Sequence, residues 1–190
     1  MTTNYKTVRL FSKLKKRVGN YFFQKELLNN KSIRKRRIIN FTDAKNIGVL
    51  YSFSDEEEYK IVNEYIKKWQ DENKKVQSIG FFNSKRIPHY FIQKLSCDLI
   101  TKANYNWYGK PTSKFVEPFI SEPFDILVDF SLKNNFTLQY ISGLSQSGFK
   151  IGSFDSGNSN YYDLMFKNNE TTDLRDYIHQ ILYYLNSLNN

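Results

Sequence analysis

The chain has few of the residues that build disulfide or metal-held frameworks. Its 190 residues include one cysteine, Cys97, and two histidines, His89 and His179. A single cysteine forms no internal disulfide, and between two leucines it is predicted to be a small buried side chain. The histidines have neither the spacing nor the accompanying cysteines of a metal site. We therefore expect no metal and no cofactor.

Long apolar segments are also missing. No run of about 18 apolar residues occurs, so no transmembrane helix is predicted, and lysines and arginines interrupt the N-terminal region, which argues against a signal peptide. Hydrophobic residues make up 40% of the chain and aromatic residues 17%, which is enough for a packed core. We expect a cytoplasmic protein with one domain and an appendage.

Acidic residues are nearly absent from the first part of the chain. Residues 1–42, here called the basic arm, contain 12 lysines and arginines and one acid, Glu26, for a net charge of +11. The remaining residues carry a net charge of −2. Positive charge concentrated in one segment favours a polyanion or an acidic surface as partner.

Apolar residues recur in the basic arm at three- and four-residue steps, which predicts an amphipathic helix from Tyr5 to about Leu28. Gly19 weakens this helix enough to allow a break. Tyr21, Phe22 and Phe23 could stack on unpaired bases. The candidate phosphate-neutralising cations of the arm are Lys13, Lys15, Lys16, Arg17, Arg34, Lys35, Arg36 and Arg37.

Three interpretations of the basic arm remain open. The simplest is a helix that packs on its own domain with its lysines in water. The favoured functional interpretation is binding to RNA or to a ribonucleoprotein such as the ribosome. The third is a helix held by an anionic membrane surface, with Phe11 and Leu14 inserted, or by an acidic protein.

Strands and helices alternate after the basic arm, which predicts an α/β domain over residues 43–190. The predicted architecture is a three-layer sandwich with a mostly parallel central sheet. Ser54, Thr137 and Thr172 are predicted helix N-caps. The predicted strands span residues 46–53, 76–82, 124–130, 149–152 and 161–166, with shorter candidates at 90–92 and 98–100. The predicted helices span residues 55–72 and 114–120, a short segment after Thr137 and a C-terminal segment after Thr172.

Two edges of this sheet are candidate ligand sites. The turn after the first strand, Ser52 to Glu58, has no glycine and four acids, so a nucleotide phosphate is not expected there. The end of the 124–131 strand offers a crevice with Asp129, Ser131 and Lys133, which would suit a small-molecule enzyme. Loop capping is nevertheless the commoner role of such residues.

The loop from Asn104 to Ser113 is rich in aromatic residues. With Lys102 and Lys110 beside it, this loop could be a stacking surface for bases or for a partner. Packing of Trp107 in the core is the favoured interpretation.

Five segments of the chain are distinctive when taken together. They are Arg36-Arg37-Ile38-Ile39-Asn40, Ala44-Lys45-Asn46-Ile47-Gly48, Trp107-Tyr108-Gly109-Lys110-Pro111, Phe124-Asp125-Ile126-Leu127-Val128-Asp129 and Tyr161-Tyr162-Asp163-Leu164-Met165. In these segments the chain resembles an uncharacterised family from the Bacteroidetes that has no assigned activity. The resemblance covers nearly the whole chain and implies a bacterial cytoplasmic protein, but it assigns no catalytic residue. We expect a binding protein for RNA or a ribonucleoprotein, with a small-molecule enzyme or a peripheral membrane adaptor as the alternatives.

Overall fold

The computed structural model describes residues 2–30, 34–155, 160–169 and 171–188. The helices of this part of the chain are α1 (Thr2–Asn30), α2 (Glu56–Asp71), α3 (Val116–Ser121), α4 (Phe136–Leu144) and α5 (Leu174–Ser187). The strands are β1 (Asn46–Phe53), β2 (Lys75–Phe82), β3 (Cys97–Ile100), β4 (Ile126–Asp129), β5 (Phe149–Ser153) and β6 (Leu164–Phe166). No helix among these residues is both long and apolar enough to cross a membrane.

The six strands form one sheet in the order β3-β2-β1-β4-β5-β6, and every neighbouring pair is parallel. The α/β prediction is therefore confirmed. β1 is central, because Ile47 pairs with Val76 of β2 on one side and with Ile126 of β4 on the other. The chain builds the sheet outward from β1 to β3 and then returns to add β4 beyond β1. The strand order reverses between β1 and β4.

Helices cover both faces of the sheet, which is why β1 is an unbroken apolar segment. On one face, Trp69 of α2 and Tyr177 of α5 belong to the same buried cluster. On the other face, Phe23 of α1, Phe119 of α3 and Ile141 of α4 belong to a second cluster. The C-terminal half of α1 is thus part of the core, and this outcome agrees with the interpretation in which the arm packs on its own domain.

Two glycines bring α1 close to the rest of the protein. A Cβ at Gly143 of α4 would lie 2.5 Å from the Phe23 ring, and a Cβ at Gly19 would lie 2.6 Å from the Tyr108 carbonyl oxygen. The helix continues through Gly19, so the break that this glycine could allow does not occur. Gly19 allows a close approach between α1 and the 104–111 loop instead.

The three predicted N-caps were each wrong by one or two residues. The caps are Asp55, Asn135 and Asp173, whose side-chain oxygens accept hydrogen bonds from the first-turn amides. The Thr137 hydroxyl donates to the Gly109 carbonyl at 3.1 Å instead, and the Thr172 hydroxyl accepts from the Asn169 amide at 2.9 Å.

Several predicted strand bounds also need correction. Residues 90–92 form a loop, in which the Ile92 amide donates to the Tyr59 hydroxyl at 3.1 Å. β4 and β6 begin later than predicted, at Ile126 and Leu164. Before β4, the Phe124 amide bonds the Glu122 carbonyl in a turn at 2.9 Å rather than a neighbouring strand.

Candidate nucleic-acid interface and strand-end cavity

The cations at the end of the basic arm are held against the domain. The Arg34 side chain is only 8% exposed, and its guanidinium donates to the Ser147 carbonyl at 2.7 Å and to the Asp163 carboxylate. Arg36 lies 3.5 Å from the same carboxylate. Arg37 is exposed and forms an ion pair with Asp125. These three arginines already have carboxylate partners, so they are weaker phosphate ligands than their number suggests.

The other predicted cations differ from these arginines. Lys13, Lys16, Arg17 and Lys35 are exposed, and Lys15 is half-buried with its ammonium 5.5 Å from the centre of the Tyr105 ring. Within the described residues, none of the five forms an ion pair with a carboxylate. The charge available to an external partner therefore lies mainly on residues 13–17 of α1.

Five aromatic rings, three of them on α1 and two on the 104–111 loop, form a continuous surface, which we call the aromatic strip. Ring-centre distances are 6.4 Å from Phe11 to Trp107, 5.4 Å from Trp107 to Tyr108, 5.3 Å from Tyr108 to Phe22 and 5.5 Å from Phe22 to Tyr21. Tyr21 is 65% exposed, Phe11 60% and Trp107 52%. Single exposed rings are common, but a connected and exposed row of rings is typical of a binding surface.

The sequence interpretation was wrong for two residues of this region. Trp107 was expected in the core and is exposed, whereas Phe23 was a candidate for base stacking and is buried against Tyr140 and Tyr161. Phe23 and Phe22 are adjacent on a helix and point about 100° apart, so a helix packed on one side buries one and exposes the other. The signal that could have found Trp107 is the Asn106–Gly109 turn, since turn tips lie at the surface.

The turn that carries Trp107 is held in place from several directions. The Asn106 side chain accepts from the Tyr108 amide at 3.2 Å and the Lys110 amide at 3.0 Å. Gly109 has a φ of +95°, a conformation that L side chains rarely adopt. Lys110 pairs with Glu26 of α1 at 2.8 Å. Trp107 is therefore presented on a fixed turn, which reduces the entropy lost when a ligand stacks on it.

A cavity of about 740 Å³ lies at the carboxyl ends of β1 and β2 and beside the segment that follows β4. We call it the strand-end cavity. It brings Lys15 and Lys16 of α1 together with Lys133, the one residue of the predicted crevice that lines it. Its aromatic lining consists of Phe53, Phe81, Phe82, Tyr105, Tyr108 and Phe136. The arm and the crevice are far apart in the sequence, and the fold brings residues of both to one cavity.

Asp129 and Ser131 are buried and do not line the strand-end cavity. The Asp129 carboxylate accepts from the Tyr162 hydroxyl at 2.7 Å and from the Ser131 amide at 2.9 Å. Burial raises the pKa of Asp129, and its hydrogen bonds oppose that effect. This geometry fits the loop-capping role of the two residues better than a role in the crevice.

At the start of α2, beside the strand-end cavity, the backbone amides that could bind an anion already donate to carboxylates of the protein. The Asp55 carboxylate accepts from the Glu58 amide at 3.0 Å, and the Glu58 carboxylate accepts from the Ser54 amide at 2.6 Å. These amides are the donors that a phosphate would use at a helix N-terminus. The arrangement supports the expectation that no nucleotide phosphate binds at the first turn.

Lys150 is a buried cation that the sequence interpretation did not consider. It lies in β5, and its ammonium donates to the carbonyls of Ser142 at 2.7 Å and Gly143 at 3.0 Å, at the C-terminal end of α4. Burial, together with the nearby positive charge of Arg34, holds the pKa of Lys150 well below its usual range. The feature of the sequence that could have indicated this buried cation is a lysine between Phe149 and Ile151 in a predicted buried strand.

Comparison with known proteins assigns the chain to a family. No curated protein matches it, and no solved structure matches it. The model of DUF6913, a family of unknown function, matches residues 15–188. That range begins inside α1 and ends with α5, so it includes Lys15 and Lys16, the aromatic strip except Phe11, and the strand-end cavity. The chain therefore belongs to the DUF6913 family.

Proposed function

We propose that the protein binds single-stranded RNA through the aromatic strip and the cations of residues 13–17. The observation that carries the proposal is the unbroken row of five rings, three of which are on α1, the helix that also carries exposed Lys13, Lys16 and Arg17. Proteins that bind single strands combine rings on which successive bases stack with cations that follow the phosphates. The strip supplies the first of these parts and α1 the second.

Single-stranded RNA fits this surface better than a duplex does. The bases of a duplex are stacked on one another, so exposed rings gain nothing from them, whereas unpaired bases have free faces. The strip spans both a helix and a loop, so successive bases of one strand meet rings from two elements. A free RNA segment of a ribonucleoprotein such as the ribosome would present the same chemistry.

The proposal is tested with point variants rather than by removal of the basic arm. Phe23 and Leu27 of α1 are in the core, so a deletion of the arm would damage the fold and lose binding for the wrong reason. The measurement is fluorescence anisotropy of a short labelled single-stranded RNA of mixed sequence. Trp107→Ala and Tyr21→Ala are each expected to weaken binding by about 1–3 kcal/mol, as loss of one stacked base does.

The chain offers a matched control for Tyr21. Tyr183 is also an exposed tyrosine on a helix, 72% exposed on α5, and it lies outside the strip. Tyr183→Ala should leave binding unchanged. Equal effects of Tyr21→Ala and Tyr183→Ala, or undetectable RNA binding by the intact protein, would contradict the proposal. Binding to vesicles of anionic lipid in place of RNA would favour a membrane partner for the same exposed Phe11 and Leu14.

A further inference from the structure

We propose that the strand-end cavity is a binding site for a nucleoside phosphate. In this assignment the phosphate lies among Lys15, Lys16 and Lys133, and the base lies against the aromatic wall that includes Tyr105 and Phe136. The site shares Lys15, Lys16 and Tyr108 with the RNA surface, whereas Lys133, Tyr105 and Phe136 belong to the cavity alone. The inference therefore goes beyond the RNA surface and is tested separately from it.

The position of the cavity is the first argument. In open parallel sheets, ligands bind outside the carboxyl ends of the strands where the strand order reverses. Here the order reverses between β1 and β4, and the cavity is lined by Phe53 and Ser54 at the end of β1 and by Leu132 and Lys133 after β4. Its volume of about 740 Å³ is within the usual range of small-molecule sites, about 300–1,000 Å³.

The unpaired lysines are the second argument. Lys15 is half-buried, whereas Lys16 and Lys133 are exposed. Half-buried lysines elsewhere have acceptors: Lys110 pairs with Glu26 at 2.8 Å, and Lys74 donates to the carbonyls of Phe41 and Ala44 at 2.8 and 2.9 Å. Within the described residues, the three cavity lysines form no such ion pair. Three cations at one cavity repel each other unless an anion lies between them.

The acidic residue and the α1 lysines that line the cavity come from helices on opposite faces of the sheet. α1 and α4 lie on one face and α2 and α5 on the other. Glu58, the acid that lines the cavity, belongs to α2 and already accepts from the Ser54 amide. The first turn of α4 has no acidic residue, and Asn135 and Phe136 line the cavity at its positive end. The cap there is the uncharged Asn135 side chain, which accepts from the Thr137 and Leu138 amides. An anion is therefore best placed on the α1 and α4 side.

The aromatic side chains that line the cavity indicate which chemical group is attached to the anion. The Tyr105 and Phe81 rings are stacked with their centres 6.2 Å apart, and both line the cavity. The Lys15 ammonium lies over the Tyr105 ring at 5.5 Å. A planar ring that stacks on this wall and a phosphate on the neighbouring lysine are the two halves of a nucleotide.

This chemistry has two sources, a free nucleotide and the terminal nucleotide of an RNA strand. Tyr108 belongs both to the aromatic strip and to the cavity lining, so a strand on the strip passes the cavity entrance. The two sources are separated by titrating free AMP and UMP, and by comparing an RNA oligonucleotide with and without a 5′-terminal phosphate.

The experiment is calorimetric titration of the full chain. AMP or UMP should bind, and adenosine, which lacks the phosphate, should bind far more weakly. Lys133→Gln should weaken nucleotide binding about tenfold, as expected for loss of one charge-assisted hydrogen bond. Lys114→Gln, at an exposed lysine that does not line the cavity, is the matched control and should have no effect. Lys15→Gln with Lys16→Gln provides a second test within the same cavity.

The outcomes separate this inference from the RNA proposal. Binding of free nucleotides that is sensitive to Lys133→Gln supports the free ligand. A gain in oligonucleotide affinity from the 5′-phosphate that Lys133→Gln removes supports the terminal nucleotide. If free nucleotides do not bind and the 5′-phosphate gives no gain, the inference is overturned, whatever Trp107→Ala does. Nucleotide binding that both sets of lysine variants leave unchanged overturns it as well.

Discussion

At the scale of single residues, two buried ionisable side chains, Lys150 and Asp129, have specific partners that explain why they are tolerated. The Lys150 side chain donates hydrogen bonds to two carbonyls at the C-terminal end of α4. The last carbonyls of a helix have no partner within the helix, and they form the negative end of its dipole. The Asp129 carboxylate accepts hydrogen bonds from the Ser131 amide and the Tyr162 hydroxyl. Such groups are hard to predict from sequence, because a strand pattern shows that a position is buried but not which polar group lies opposite it.

Lys150 should make stability depend on pH in a defined direction. Its pKa is lowered in the folded protein, so between the folded and unfolded pKa values the unfolded chain binds the additional proton. Stability then rises with pH through that window, by about 1.4 kcal/mol for each unit of pKa depression. Lys150→Met removes the titrating group, so the wild-type protein should gain stability relative to this variant as the pH rises toward the unfolded lysine pKa of about 10.4.

Urea unfolding of both proteins across that range measures the effect. Subtracting one curve from the other cancels the groups that they share, including the buried tyrosines. Lys167→Met, at an exposed lysine, controls for the loss of one positive charge. Parallel stability curves for the wild-type protein and Lys150→Met would show that the burial of Lys150 has no such consequence.

At the scale of secondary-structure elements, the docking of α1 is the feature that sequence reasoning left open. The 3.6-residue period correctly predicted a helix, but that helix has apolar residues on more than one side. Phe23 and Leu27 face the core, while Phe11, Leu14 and Tyr21 remain exposed. Which side docks is decided by Gly143, more than 100 residues away, and no local pattern contains that information.

Gly143→Ala should loosen α1 because the added methyl would overlap the Phe23 ring. That ring is enclosed by Phe136, Tyr140 and Tyr161 and has little room to move. We expect a loss of about 1–3 kcal/mol, the usual cost of overpacking, and faster amide hydrogen exchange along α1.

Gly148→Ala is the matched control for this prediction, because its Cβ would meet its nearest atom, the Asp125 carbonyl oxygen, at 3.4 Å. Phe23→Leu in the Gly143→Ala background should restore part of the lost stability. If the two alanine variants have equal effects, the contact between Gly143 and Phe23 does not hold α1 in place.

At the scale of the whole molecule, the fold class followed from the sequence because buried parallel strands and amphipathic helices have distinct periods. The position of β1 at the centre of the sheet did not, because its pairing with β4 depends on the path of the chain. The candidate sites were only partly predictable for the same reason. Lys133 and Lys15 are far apart in sequence, and the docking of α1 on the sheet places them at one cavity.

The uneven charge of the whole chain predicts a salt dependence. If Lys13, Lys16 and Arg17 each contact a phosphate, the logarithm of the RNA association constant should fall with the logarithm of salt concentration with a slope near −2, about −0.7 per contact on a single strand. Lys13→Gln with Arg17→Gln should reduce the steepness of that slope by about 1.4.

Lys67→Gln with Lys68→Gln, on exposed positions of α2, removes the same charge elsewhere and should leave the slope unchanged. A slope near zero for the wild-type protein would mean that the cations of α1 do not contact phosphates.

The packing of α1 on α4 also determines the order in which the protein can fold during synthesis. α1 is made before α4, yet the hydrogen bond between Glu26 and Tyr140 spans 114 residues of sequence. At about 5–20 residues per second, α1 waits on the order of ten seconds for its partner. β1 likewise waits for β4. During this interval the nascent chain exposes a basic helix with Phe23 and Leu27 uncovered, so premature association of unfinished chains is the main hazard of this topology.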